Sequence, residues 1–406
     1  MSATGTEVSR LLAGWREEAP LSLEEHLRVY GDIHSRDHGA ALVERVERSG
    51  LRGRGGAGFP TAVKLRAVAA GRGRPVVVAN GTEGEPLSEK DKLLLERMPH
   101  LVLDGVALAA SAVGAREASV CIAAGASAAI AVGRAALAER AHADIDEVAM
   151  RLVAVPDGYV AGEESALVHH LNGGPAIPTL VPPRPFERGV GGRPTLVQNV
   201  ETLAHIALIA RFGSRWFREV GTALDPGTAL ITLSGEVGWP GVYEIALGAP
   251  LGTIVAEAGP VEPPRAVLLG GYHGTWLAAD DLGSFEIGHE ALRRRGAALG
   301  CGIVTVLGER ACGVCATAPI LEYLAQASAG QCGPCTFGLR AIADRFAELS
   351  DGVAPPGALE QLHRWAGLVE RRGACHHPDG AARLLRSTLE TFADDVHRHA
   401  RGGRCT

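Results

Sequence analysis

The chain has 406 residues, of which 46% are hydrophobic and 21% charged, a balance typical of a soluble globular protein with two or three domains. Its formal net charge of -6 argues against a nucleic-acid-binding protein, which is normally basic. We find no apolar leader and no uncharged stretch long enough to span a bilayer. We therefore expect a cytoplasmic protein that is at most peripherally attached to the inner face of the cell membrane.

Strand and helix patterns alternate through the first half of the chain. The segment ALVERVERSG is typical of a helix that ends at Gly50. Strand-like runs follow in RPVVVANG, ASVCIA and RLVAVPDGYV, with an alanine-rich helix after Ala126. This alternation predicts a three-layer α/β domain with a mainly parallel sheet, which we assign to residues 1–222.

Two further regions differ in pattern from the first. Short strands with Gly and Pro turns, such as TALITLSGEV and RAVLLGGYHG, together with one helical segment, predict a compact α+β module over residues 223–311. Residues 312–406 contain four helical patterns with short connections, which predict a helical bundle.

A glycine-rich loop occupies residues 53–58 and reads GRGGAG. It matches the spacing of dinucleotide-binding loops, but the segment before it is helical where those loops follow a strand. Glycine still lets backbone N–H groups approach an anion, and a helix carrying Lys64 begins just after the loop. The loop is therefore either an anion cradle or a tight structural turn.

Two acidic loops follow predicted strands. The first contains Asn80, Glu83 and Glu85, and the second contains Gly162 followed by Glu163 and Glu164. Ligands of α/β sheets bind beyond the carboxyl ends of the strands, so both loops are candidates for a ligand site. Acidic residues there suit ribose hydroxyls or a ring edge, although carboxylates that open a helix can simply cap it.

The eight cysteines are concentrated near the end of the chain. Without a leader, they indicate reduced thiols or metal ligands. Cys121 lies in an apolar strand and is expected to be a buried small hydrophobe. Cys405 is expected to lie in a loose terminus without a structural role.

Taken in order, the segments GLRGRGGAGFPTAVK, NGTEGEP, AGEESAL, GRPTLVQNVETLAHI and QCGPC resemble the motifs of the NADH- and FMN-binding subunit of complex I. Related diaphorase subunits of hydrogenases and formate dehydrogenases share these motifs. The resemblance covers nearly the whole chain. It implies a flavin-binding domain, a ubiquitin-like (β-grasp) module and a helical bundle that holds a [4Fe–4S] cluster.

The resemblance also assigns residues to FMN and to NADH. The FMN positions are Gly53, Arg54, Gly55, Lys64, Asn80, Glu83, Gly162, Glu163, Asn199 and Thr202. The positions that receive NADH are Phe59, Glu85 and Glu164.

Several family positions are changed in this chain. Thr82 replaces an acidic residue, and Gln198 replaces the first Asn of the family's NNVET motif. Ala67 and Arg184 replace aromatic residues, and Val181 replaces a basic one. These last three changes fall in the nicotinamide site, so we predict weak or redirected use of nicotinamide.

The cluster motif is altered as well. Cys332, Cys335 and Cys375 match three of its four thiolates, but Ala329 replaces the fourth. Either Cys312 or Cys315 is a candidate for the missing ligand, as are the neighbouring histidines; otherwise the cluster is incomplete. An alternative is a zinc site made by the two CxxC pairs, which are separated by sixteen residues. The helical pattern between the pairs and the unused Cys375 favour iron–sulfur.

These features predict an NADH dehydrogenase-like oxidoreductase in which the cofactors carry the chemistry. It would pass electrons from NADH through FMN to the cluster and on to a redox partner, either a ferredoxin-like protein or a [2Fe–2S] subunit of a larger complex. The alternative function is that of a degenerate paralogue that acts as an electron relay or scaffold without oxidising nicotinamide.

Overall fold

The structure, a computed structural model, describes residues 9–17, 19–32 and 39–405. Strands and helices alternate up to residue 218. These elements are α1 (Leu23–Tyr30), α2 (Ala40–Ser49), α3 (Thr61–Ala69), β1 (Val76–Gly81), α4 (Lys90–Arg97), α5 (Pro99–Val113), β2 (Glu117–Ala123), α6 (Ser127–His142), β3 (Ala149–Val155), α7 (Glu164–Leu171), β4 (Thr195–Asn199) and α8 (Val200–Arg218). The helix predicted before the glycine-rich loop is present and ends at Gly50, which has left-handed backbone angles.

The first sheet is parallel throughout, with the strand order β3-β2-β1-β4. Along β1, Val77 and Ala79 face a core that includes the large helices α5 and α8, whereas Val76 and Val78 face a smaller core around α7. Helices therefore cover both faces of the sheet, and the predicted α/β architecture is confirmed.

The strand order reverses beside β1. The chain passes from β1 outward to β2 and β3, and then returns to place β4 on the opposite side of β1. Strand β4, which has five residues, was not predicted as a strand. Ligands of α/β sheets bind where the strand order reverses, so the expected site lies at the carboxyl ends of β1 and β4.

A second, five-stranded sheet follows. Its elements are β5 (Thr228–Gly235), β6 (Gly241–Ala246), α9 (Leu251–Glu257), β7 (Pro264–Leu269), β8 (Thr275–Ala278), α10 (His289–Arg294) and β9 (Ile303–Gly308). The strand order is β6-β5-β9-β7-β8; β5 and β9 are parallel and the other pairs antiparallel. The last strand of the chain order thus lies at the centre of the sheet.

Helices dominate the rest of the chain. They are α11 (Gly313–Gln326), a π-helical turn (Pro334–Leu339), α12 (Arg340–Ser350), α13 (Ala358–Val369), α14 (His377–Thr391) and α15 (Ala393–Ala400). The four predicted helical segments are present, and the last divides into α14 and α15 at Phe392. Trp276 of β8 packs into this helical core and donates its indole N–H to Thr317, which joins the second sheet to the helices. Within the described residues, the structure contains no helix that is long and apolar enough to cross a membrane.

Candidate functional site

The ends of β1 and β4 bring two asparagines together. Asn80 and Asn199 are register partners in the parallel pair. The Asn80 side-chain amide donates to the Gly162 carbonyl at 2.8 Å, and the Thr82 hydroxyl donates to the Asn80 side-chain oxygen at 2.8 Å. Asn199 accepts from the Glu201 N–H and so begins α8. The strand ends and the loop before α7 therefore meet at the point where the strand order reverses.

The glycine-rich loop lies against the start of α8. The Arg54 N–H donates to the Thr202 hydroxyl at 2.8 Å. A Cβ atom at Gly55 would lie only 3.0 Å from Cβ of Asn199, which is tighter than an ordinary side-chain contact. Close packing of backbone against α8 explains glycine at this position and leaves no side chain over the strand ends. We call this loop, together with the ends of β1 and β4, the strand-end site.

The Arg54 side chain is directed away from that site. It is buried, and its guanidinium donates to the Thr228 carbonyl at 3.0 and 3.3 Å, beside Glu201 at 3.9 Å. The backbone of Arg54 therefore belongs to the loop, whereas its charge anchors the loop to β5 of the second sheet.

Lys64 stands at the mouth of the strand-end site, on the first turn of α3. Its ammonium lies 2.6 Å from a Glu164 carboxylate oxygen and 2.9 Å from the Val197 carbonyl of β4. The two residues that the resemblance assigns to phosphate and to NADH thus form an ion pair. A phosphate bound at the glycine loop would compete with Glu164 for this cation.

A buried charge network supports the strand-end site from beneath. The Lys90 ammonium lies 2.7 Å from Asp91 and 2.8 Å from Glu201. Asp91 in turn accepts from the Asn199 side-chain amide at 2.6 Å, which fixes the orientation of that amide. Burial disfavours the charged form of Glu201, but the charge of Lys90 outweighs burial and lowers its pKa to about 2. Sequence reasoning missed this network, although its Lys-Asp pair directly follows the first acidic loop.

The two acidic residues after β1 have different environments. Glu83 accepts from the Ser88 hydroxyl and from the N–H groups of Asp91 and Lys92, so its carboxylate caps α4. Burial, together with the nearby charge of Asp91, raises the pKa of Glu83 to about 7. Its backbone has a φ of 42°, which is uncommon for a residue other than glycine and is typical of functional loops.

Glu85 retains an unused acceptor. One carboxylate oxygen accepts from the Tyr159 hydroxyl at 2.8 Å and from the Tyr272 N–H at 3.0 Å. The other oxygen, Oε1, is buried without a hydrogen-bond partner among the described residues. Burial raises the pKa of Glu85 to about 7. A buried acceptor without a partner is a group that a ligand can satisfy.

Glu163 caps α7, accepting from the N–H groups of Ser165 and Ala166 at 2.9 and 3.1 Å. The capping role that sequence reasoning left open is therefore present. Burial raises the pKa of the Cys375 thiol, and the negative charge of Glu163 adds to this rise. The second acidic loop thus lies close to one of the predicted cluster cysteines.

The positions assigned to nicotinamide are exposed. The Phe59 side chain, next to the glycine loop, is 51% exposed and Val181 is 41% exposed. Arg184 is also exposed, and its N–H donates to the Glu187 carboxylate. These side chains have open space around them, and the changes at Ala67, Val181 and Arg184 fall on that open side.

Cys332, Cys335 and Cys375 lie close together at the π-helical turn. Burial raises the pKa of Cys335 to about 12, and the negative charges of Cys332 and Cys375 contribute to the rise. Backbone N–H groups of Ala374 and Cys335 point to the Cys332 sulfur, as in sites that hold thiolates. The preceding residue, Gln331, donates to the Pro178 carbonyl at 3.1 Å and attaches this loop to the first region.

The remaining cysteines near the end of the chain form a separate group. The donor atoms of Cys312, Cys315, His399 and Cys405 all lie within 4.8 Å of one another. None of Cys332, Cys335 and Cys375 belongs to this group, so the predicted use of Cys312 or Cys315 as a cluster ligand gains no support. The alternative zinc site made by the two CxxC pairs is wrong for the same reason. Cys405 contacts His399 at 3.1 Å and is not loose as expected, whereas Cys121 is buried as expected.

Two family models match this chain. The Nuo51 FMN-binding domain matches residues 46–208, which contain the strand-end site. The NADH-ubiquinone oxidoreductase-F iron-sulfur binding region matches residues 315–399, which contain the predicted cluster cysteines.

Curated relatives extend the similarity over nearly the whole chain. The second F-type polypeptide of the NADH-quinone oxidoreductase of Rhizobium meliloti is 36% identical over 381 residues, which is 90% of each chain. The F-type polypeptide of the same enzyme in Streptomyces coelicolor is 30% identical and covers 97% of this chain and 92% of its own. A solved structure of NAD+-reducing [NiFe]-hydrogenase matches with a TM-score of 0.84 at 34% identity; the match covers 88% of this chain but only 62% of the hydrogenase chain.

Proposed function

This chain belongs to the family of F-type NADH-quinone oxidoreductase subunits, and from that premise we propose that it takes electrons from NADH onto FMN and passes them through an iron–sulfur centre to a partner subunit. The observation that carries the proposal is the meeting of the glycine loop, the ends of β1 and β4, and Lys64 at the point where the strand order reverses. Such a point is where α/β sheets bind nucleotide-like ligands.

The strand-end site fits FMN. The loop backbone around Gly55 is free of side chains, the N-terminus of α8 lies behind it, and Lys64 supplies a positive charge, which together suit a phosphate. We place the phosphate end at Gly53, the backbone of Arg54, Gly55, Lys64, Asn199 and Thr202. We place the ring end beside Asn80, Gly162 and the loops of Glu83 and Glu163.

The nicotinamide is proposed to bind on the exposed side of the same site. Phe59 offers a half-exposed aromatic face, and Glu85 offers an unused carboxylate oxygen for a ribose hydroxyl. Glu164 would exchange its contact with Lys64 for a contact with the dinucleotide once phosphate occupies the cation. When bound, FMN accepts a hydride from NADH and releases the electrons singly. The side chains of this chain orient the two rings and hold the charges around them.

The iron–sulfur centre is proposed to bind through Cys332, Cys335 and Cys375. Thiolate sulfur is the ligand that such clusters require, and the three thiols are neighbours. Ala329 provides no donor at the fourth position. We therefore propose a cluster with three protein thiolates, whose fourth iron is bound by a non-cysteine ligand or is open. The charge coupling between Glu163 and Cys375 supports a short route from the flavin ring to the cluster.

We also propose the domain assignment 1–222, 223–311 and 312–406. The β6-β5-β9-β7-β8 order, with parallel central strands, supports a ubiquitin-like (β-grasp) module in the middle region. The helices from α11 to α15 share one buried core, which supports a helical bundle. Relatives are subunits of multisubunit complexes, and we propose a ferredoxin-like or [2Fe–2S] subunit as the electron acceptor and a peripheral cytoplasmic location.

The test is NADH-dependent reduction of an artificial electron acceptor by purified protein, measured before and after reconstitution with FMN. We expect turnover that depends on FMN and saturates with NADH. Protein that binds FMN but transfers no electrons from NADH or NADPH would contradict the proposal and favour a relay without nicotinamide oxidation.

A further inference from the structure

A cluster of four metal-binding side chains lies outside the proposed flavin and iron–sulfur sites. We call it the Cys₃His group, and its members are Cys312, Cys315, His399 and Cys405. It joins the first turn of α11 to the last turn of α15 and to the residues that follow α15. The group depends on the fold, because Cys312 and Cys405 are 93 positions apart in the sequence.

The spacing of the donor atoms suits a single ion. The His399 Nε2 atom lies 3.4 Å from the Cys312 sulfur and 3.1 Å from the Cys405 sulfur. Zinc, with bonds of about 2.3 Å to sulfur and about 2.0 Å to nitrogen, holds tetrahedral donors about 3.5–3.8 Å apart. All four donor atoms lie within 4.8 Å of one another, so they are too close to span an iron–sulfur cluster several atoms wide.

His399 provides an independent observation. Its side chain is fully buried, and its Nε2 atom is the ring nitrogen that faces the sulfurs. The other ring nitrogen, Nδ1, is buried without a hydrogen-bond partner among the described residues. Burying an imidazole with only weak sulfur contacts is costly, and a metal bond to Nε2 would offset that cost.

The surroundings also suit a zinc–thiolate centre. Backbone N–H groups of Val314 and Cys315 point to the Cys312 sulfur, as in the turns that present paired thiolates to zinc. The Arg398 guanidinium lies 3.8 Å from the Cys312 sulfur and 4.0 Å from that of Cys405. Zinc with three thiolates and one neutral histidine has one net negative charge, which this arginine balances.

Arg398 is itself held in place. Its guanidinium lies 2.8 Å from the Asp395 carboxylate, which also accepts from the Gly313 N–H at 2.9 Å and pairs with Arg265 of β7 at 2.9 Å. Asp395 therefore orients both the arginine and the first turn of α11. Such supporting contacts are typical of metal sites.

We propose that the Cys₃His group binds one zinc ion, which fastens the end of the chain to the start of α11, where the helices follow the second sheet. The ion is structural, because four protein donors leave no coordination position for a substrate. The proposal is independent of the flavin chemistry and adds a second kind of metal to the chain.

The experiment measures zinc, iron and FMN in wild-type protein and in matched variants after supply of both metals under anaerobic conditions. We expect one zinc per chain in the wild type, loss of zinc with retained iron and FMN in Cys405→Ser and Cys312→Ser, and retained zinc with lost iron in Cys375→Ser. Wild-type protein with no bound zinc, with iron at this group, or with a disulfide between these thiols would overturn the proposal.

A second measurement covers variants that fail to fold. Wild-type protein loaded with cobalt(II) instead of zinc should show the intense absorption of a tetrahedral thiolate-ligated ion, and added zinc should displace the cobalt and remove that absorption. Absorption typical of octahedral cobalt, or none from bound cobalt, would overturn the proposal.

Discussion

The strand-end site and the two thiol groups near the end of the chain are built in different ways. At the strand-end site, polar side chains hold one another: Asn199 is fixed by Asp91, Asn80 by Thr82 and Gly162, and the charge network lies beneath them. The thiol groups lack such a network, and their strongest contacts would come from metal. We infer that the flavin site is shaped before its ligand binds, whereas the thiol groups depend on their metals for order.

The largest expected effect concerns the cluster cysteines. We expect Cys375→Ala to abolish bound iron and sulfide, because its loss leaves only two thiolates of the proposed three. The strand-end site does not depend on this thiol, so FMN content should remain within the error of the wild-type value. Elemental analysis and flavin fluorescence of the same sample measure both. A variant that keeps its iron would contradict the proposed ligands and break the comparison.

The next effect should come from the glycine loop. In Gly55→Val the side chain would meet Asn199 and fill the space over the strand ends, since even a Cβ lies 3.0 Å from Cβ of Asn199. We expect no FMN to remain after gel filtration, with iron retained. Gly283→Val is the control, because a Cβ at Gly283 meets nothing within 4 Å. Equal FMN content in both variants would argue against a cradle at this loop.

Lys64→Gln should weaken FMN binding and not abolish it. Hydrogen bonds to charged groups contribute about 1.5–3 kcal/mol, which corresponds to about a 10- to 150-fold rise in Kd. Titration of the apoprotein with FMN measures this change, and Lys92→Gln, which removes a cation paired with Glu89 on the surface, is the control. An unchanged Kd would mean that Lys64 serves only its ion pair with Glu164.

The nicotinamide side allows a gain of function. Ala67→Phe restores the aromatic residue of the family, and contacts between a base and an aromatic ring contribute about 1–3 kcal/mol. We expect the KM for NADH to fall about tenfold with kcat little changed, since the added contact is the same in the ground and transition states. Ala70→Phe, one turn later on the exposed end of α3, is the control. A KM that does not fall would show that the change at this position is not what limits binding.

The smallest effect concerns pH. Burial raises the pKa of Glu85 to about 7, so its carboxyl group is mostly protonated at pH 6 and mostly ionised at pH 8. An ionised oxygen is the stronger acceptor for a ribose hydroxyl, so the KM for NADH should fall about fivefold as pH rises through 7. Glu85→Gln should remove this dependence. A profile that is the same in both proteins would exclude Glu85 from nicotinamide binding.

The same group has a predictable effect on stability. An acid with a raised pKa in the folded state retains its proton longer there than in the unfolded chain. Its stabilising contribution is therefore present below about pH 4.5 and is lost as the pH rises to about 7. Thermal unfolding of wild type and Glu85→Gln at pH 5 and pH 8 should show this difference, with the wild type relatively less stable at pH 8.

The sequence predicted the alternation of strands and helices, the glycine loop and the acidic strand-end loops because these features are local. Strand β4 was missed since its five residues are too few for a periodic pattern, yet β4 creates the reversal that locates the site. The Cys₃His group could not be predicted because it joins residues from three separate segments. Arg54 could be placed in the loop, but only the fold shows that its side chain turns to Thr228.

The central claim is that electrons from NADH reach an iron–sulfur centre through the strand-end site. Its most direct test is paramagnetic resonance of anaerobic, FMN-loaded protein with NADH as the only reductant. We predict the signal of a reduced cluster in the wild type, its absence in Cys375→Ala despite flavin bleaching, and its absence in Gly55→Val. A wild-type protein whose cluster is reduced by dithionite but stays oxidised with excess NADH would contradict the account.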